Sequence, residues 1–131
     1  MNQEPCTVAD LARMEFDDSV HPRAFFDRAL EVAVEDWADL DRQLVAWLCR
    51  EGHLTKANLP IHNHAKGGKY FINDEAQHST PEFNGDWHKV GDFYVDTKYN
   101  ARSHIKNLLS TLEQLGLRDP HFYLAFRTVG R

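Results

Sequence analysis

From Pro22 to Arg50 the chain holds no Gly and no further Pro, and apolar residues recur at Phe26, Leu30, Ala33, Trp37, Leu40, Leu44 and Trp47. Alternating steps of four and three are the period of one helix face, so a long amphipathic helix is predicted over 22–51. Pro22 suits its first turn, because the missing N–H has no partner there, and Gly52 supplies a stop. Phe25, Val32, Val34, Val45 and Leu48 widen the stripe beyond a two-stranded coiled-coil seam, which points to packing on a core. On the opposite face Asp27, Glu31, Glu35 and Asp39 follow one another every four residues. Like charges at that spacing repel instead of stabilising the helix, and only Arg42 interrupts the band.

Residues 1–20 are weakly patterned; Thr7 and Asp10 suggest a capping box on a short helix over Val8 to Met14. After the long helix, residues 53–67 read as a loop around Leu59-Pro60, closed by Gly67-Gly68. Tyr70-Phe71-Ile72 predicts a strand, and 74–86 a long polar loop. Trp87 to Val90 and Phe93 to Thr97 read as a hairpin joined by Gly91-Asp92. Asn100 caps a predicted second helix, Ala101 to about Leu115, stopped by Gly116. Asp119-Pro120 turns the chain into a last strand, Phe122 to Val129, in which Phe122, Leu124 and Phe126 face inward. The expected fold is α+β in the order α-βββ-α-β. An antiparallel sheet of about four strands, with the second helix, occupies 68–131, and both helices pack mainly on one side.

The 131 residues suit a single domain, and their 42% apolar and 27% charged composition is that of a globular chain. No apolar run reaches membrane-spanning length, no secretory signal is evident, and Cys6 and Cys49 lack metal or redox spacing. A cytoplasmic protein with two free thiols, monomeric or homodimeric and without a cofactor, is the expectation. The net charge of −5 is uneven: residues 1–51 carry 12 Asp/Glu against 5 Arg, a net of −7, and residues 52–131 carry 8 against 10 Lys/Arg, a net of +2.

No complete catalytic motif is present, and three functions compete. The first is a non-enzymatic inhibitor or neutraliser that presents Asp27, Glu31, Glu35 and Asp39 on its helix to a basic, nucleic-acid-handling protein, much as a row of phosphates would. The second is a histidine-dependent nuclease or metal-dependent hydrolase. His62 and His64, two residues apart, could share a metal, and with His88 and Lys69 they could move protons beside a phosphate. The third is a nucleic-acid-binding regulator that stacks bases on an outer sheet face bearing Tyr94, Asp96, Tyr123 and Arg127.

Overall fold

A computed structural model describes residues 5–15, 19–28, 30–65, 67–80, 83–117 and 122–128. Its elements are β1 (Cys6–Thr7), α1 (Val8–Arg13), β2 (Val20–Asp27), β3 (Leu30–Ala33), α2 (Trp37–Arg50), a 3-10 turn (Lys56–Asn58), β4 (Ile61–His62), β5 (Tyr70–Asn73), β6 (Trp87–Val90), β7 (Phe93–Asp96), α3 (Ala101–Gln114) and β8 (Phe122–Thr128). They form two four-stranded antiparallel sheets, ordered β1-β8-β2-β3 and β4-β5-β7-β6.

The long helix over 22–51 does not exist. Its first half is the β2–β3 hairpin, and helix starts only at Trp37, where the Asp36 carboxylate caps the Asp39 amide at 2.8 Å. The physical reason lies in residues that serve two readings. Val20, Phe25, Phe26, Val32 and Val34 are β-branched or aromatic and fit a sheet, yet part of the set also matches a helical period. A register shift between Pro22 and Ala24 breaks the alternation that would have marked a strand, and it accommodates a proline in an interior strand. The hairpin turn carries Arg28 at φ 56, a left-handed conformation that glycine or asparagine normally signals. The expected single sheet is likewise replaced by two, and the helices do not share one side. Helix α2 packs on β2 of the first sheet and on β6 and β7 of the second, whereas α3 packs on α1 and β4.

The other elements lie close to where the pattern put them. Thr7 and Asp10 form a reciprocal capping box on α1. Gly91, at φ 60, turns the β6–β7 hairpin, and Asn100 caps α3 through the Ser103 amide at 2.9 Å. The turn expected at Asp119-Pro120 and the end of the last strand at Val129 lie outside the described residues.

One apolar core draws on both sheets and all three helices. On the first sheet Trp47 meets Phe25 and Phe122 with ring centroids 5.9 and 5.7 Å apart, and Trp37 meets Phe126 at 6.0 Å. Each such side chain contributes about 1.5–3 kcal/mol by leaving water, so the α2 face Trp37, Leu40, Leu44, Trp47 mainly holds the fold. Among the described residues no helix is long and apolar enough to cross a membrane.

Candidate functional site

The second sheet is organised around a buried carboxylate. Asp96, last residue of β7 and 2% exposed, accepts four donors. The amides of Asp86 and Lys98 reach Oδ1 at 2.9 and 3.1 Å, while His78 Nε2 and the Tyr99 hydroxyl reach Oδ2 at 2.9 and 3.4 Å. The other His78 nitrogen, Nδ1, receives the Tyr70 amide at 2.8 Å. That acceptor role places the ring proton on Nε2, aimed at Asp96. Trp87 covers the ring at 4.8 Å. A histidine engaged on both nitrogens has no free lone pair for a substrate proton. The pair ties the 74–86 loop to β7.

Glycine makes this closeness workable. A Cβ on Gly85 would lie 2.7 Å from Trp87 Nε1 and 3.0 Å from Asp96 Oδ1. Gly68 combines φ 83 with a would-be Cβ only 2.6 Å from Ser79 Oγ, where the same loop returns to the start of β5.

A second buried pair joins the helices. His104 Nδ1 of α3 lies 3.0 Å from Asp41 Oδ2 of α2, off the line of a well-aligned hydrogen bond. Trp37 stacks on His104 at 5.4 Å, and Tyr99 meets it edge-on at 5.8 Å. Burial pushes the Asp41 carboxyl up to about 6, against the opposing pull of His104. Burial likewise pushes the Tyr99 phenol up to about 12, so it stays protonated and donates to Asp96. A polar seam thus runs from Asp41 through His104 and Tyr99 to Asp96 and His78. Its members were missed in the sequence as a group, although Asp41 stands four residues from Trp37 and Val45, and His104 four from Leu108, each inside an apolar stripe.

The residues singled out for catalysis do not converge. His62 is held through its backbone by Gln114, with both bonds at 2.9 Å, and its ring meets Tyr70. His64 borders a broad groove of about 630 Å³ with Lys106, Ser110, Glu113 and Gln114, and its ring is held below the usual histidine range by burial and then by Lys106. His88 contacts Arg42 at 3.3 Å and Asp86 at 3.6 Å, and Lys69 sits over Phe83. Among the described residues no group of three His, Cys, Asp or Glu side chains is placed to hold a metal. Burial pushes the Cys6 and Cys49 thiols up, away from the nucleophilic thiolate.

Nor do Tyr94, Asp96, Tyr123 and Arg127 make one face. Tyr94 and Asp96 belong to the second sheet and Tyr123 and Arg127 to the first, and Asp96 is buried. Arg127 donates to the Glu35 carbonyl at 2.7 Å.

The acidic residues, though not on one helix, remain together along one stretch of chain. Asp27 ends β2, Glu31 lies in β3, and Glu35 and Asp39 flank the start of α2. Asp39 is taken up locally: it receives the Glu35 amide at 3.0 Å and pairs with Arg42 at 3.5 Å. Among the described residues Asp27, Glu31 and Glu35 have no ion-pair partner. Strand β3 is the outer strand of its sheet, and Leu30 at its start is 47% exposed.

Compared with known protein families, with curated proteins and with solved structures, the chain shows no significant match.

Proposed function

We propose that this is a non-enzymatic binding protein that engages a basic protein partner along the outer edge of β3. The observation that carries the reading is that edge itself. In a hairpin closed by two residues, the flanking pair Asp27–Leu30 exchanges backbone bonds and the next pair does not. Glu31 and Ala33 therefore turn their N–H and C=O groups outward. An unpaired strand edge is a template for an added strand, and a charged side chain within it discourages pairing with another copy of the same acidic edge. Asp27, Glu31 and Glu35 repel a second copy and attract Lys and Arg, while Leu30 offers apolar contact. The Arg127 bond to Glu35 and the cap at Asp36 hold the far end of the strand in place, so little ordering entropy is lost on docking.

The chemistry elsewhere favours the same class. The two buried histidines, His78 and His104, are built into the interior, and the partly buried His62, His64 and His88 form no common metal site among the described residues.

Charge reversal provides the test. The variant Glu31→Lys/Glu35→Lys changes two exposed side chains and is expected to keep the wild-type circular dichroism and thermal midpoint within a few degrees. Co-purification from the native host should recover a basic partner with the wild-type chain and lose it with the variant. Raising salt from about 50 to 500 mM should weaken the wild-type complex, because the screening length of exposed charges falls from roughly 14 to roughly 4 Å over that range. Equal recovery of the same partner by both proteins would overturn the reading.

A further inference from the structure

Beside the buried Asp96 lies a cavity of about 320 Å³ lined by Lys69, Phe83, Asn84, Asp96, Lys98 and Tyr99. Its size falls within the range of small-molecule sites. Two of its walls are ammonium groups, and neither forms an ion pair among the described residues. Lys69 Nζ instead rests 5.3 Å from the centre of the Phe83 ring. That contact steers the amine toward the cavity but does not neutralise it.

Asp96, the carboxylate among the described lining residues, does not cancel these charges by direct pairing. Both Asp96 oxygens are already met by donors from Asp86, Lys98, His78 and Tyr99, and the residue is 2% exposed. What the cavity offers a ligand is two cations without an ion-pair partner among the described residues, the Asn84 amide and an aromatic edge. The backbone fixes both lysines. The Lys69 carbonyl receives the Asn63 amide at 3.1 Å, and the Lys98 amide is one of the four donors on Asp96. The buried His78–Asp96 tie therefore holds the backbones that carry the two lysines on either side of the cavity.

We propose that this cavity binds a small phosphomonoester, its dianionic phosphate between Lys69 and Lys98 and its polar remainder against Asn84 and the edge of Phe83. A dianion matches two ammonium groups, and Lys serves phosphate as a point charge without needing the fork of Arg. The site is separate from the β3 edge and stands without it.

The test is an amide chemical-shift titration of the full chain with ribose 5-phosphate, ribose and inorganic phosphate. Ribose 5-phosphate should give saturable shifts at Lys69, Asn84 and Lys98, with a Kd of about 1 mM or tighter, and ribose should give none. Lys69 and Lys98 are exposed, so Lys69→Gln/Lys98→Gln should fold normally and weaken binding by about tenfold or more. Each single variant should fall between. Absence of saturable shifts at these amides, an equal response to ribose, or an affinity unchanged in the double variant would overturn the proposal. Inorganic phosphate binding as tightly as ribose 5-phosphate would also overturn it, by reducing the site to one for a free anion.

Discussion

Replacing Asp96 with Ala is expected to destabilise the protein by about 4 kcal/mol, the largest effect of any single truncation outside the apolar core. The carboxylate satisfies His78 Nε2, the Tyr99 hydroxyl and two main-chain amides from outside regular structure. Removing it strands four donors, of which the His78 ring is fully buried with no other acceptor for Nε2 among the described residues. A typical domain has about 5–15 kcal/mol of stability in total, so much of the margin disappears. The midpoint of thermal unfolding should fall by more than about 10 °C. Asp96→Asn keeps the volume but turns an amide NH2 toward two of the donors, and should cost roughly half as much. Because His78 acts through the same contact, His78→Ala and Asp96→Ala should be strongly non-additive in a double-mutant cycle. Urea unfolding of the four proteins measures this. A loss below about 1 kcal/mol for Asp96→Ala would mean that water reaches the site and replaces the carboxylate.

The Asp41 carboxyl should make stability depend on pH in the direction opposite to that of a typical salt-bridged aspartate. Its folded pKa is raised from 3.8 to about 6, with burial the dominant cause. Between those values the folded chain holds a proton that the unfolded chain releases. The contribution of Asp41 to stability is therefore greatest below pH 3.8 and falls as pH rises toward 6. At 1.36 kcal/mol per pH unit, the rise corresponds to about 3 kcal/mol lost across this window. Asp41→Asn carries no titrating group. Its stability relative to wild type should rise by about that amount from pH 3.5 to pH 7, most of it between pH 4 and 6. His104 and Arg42 face position 41 in both proteins and Asp96 lies nearby, so the difference between the two curves, not either curve alone, reports Asp41 together with its coupling to His104. Denaturant unfolding at half-unit pH steps gives that difference. A flat difference would show that Asp41 is ionised in the fold without cost, through a better-formed bond to His104.

Much of the second half of the fold was legible in the sequence because its signals are local and agree with one another. Asn100 and Gly116 bracket α3, Gly91-Asp92 turns a hairpin, and β8 alternates. The first half was not legible, for two physical reasons. The β2–β3 turn uses Arg28 where the left-handed conformation favours Gly or Asn, so the sequence carries no break. Pro22 sits at a register shift in a strand, although proline in that sequence context equally suits the first turn of a helix. The i,i+4 spacing of Asp27, Glu31, Glu35 and Asp39 has no structural meaning, because they fall in two strands, a connection and a helix start instead of on one helix face. The buried polar seam was visible only in part. Asp96 was noticed as an outward-facing strand residue, yet it lies at the end of β7 where the chain bends, and the His78 loop folds over it. Two-residue periodicity cannot report a loop that returns from eighteen residues away.

The seam and the hairpin have different tasks. The seam ties the loop of His78 to the second sheet beside the cavity, while the hairpin leaves the outer edge of β3 without a strand partner among the described residues. That open edge is the centre of the functional account, and amide hydrogen exchange tests it most directly. With the partner recovered from the native host, exchange is measured on free and bound protein at single-residue resolution, together with Ala33→Pro, which removes one outward N–H without changing charge. Strand addition predicts new protection at Glu31 and Ala33 on binding, and markedly weaker binding by Ala33→Pro. Unchanged exchange at both amides in a saturated complex, with protection appearing elsewhere, would contradict it.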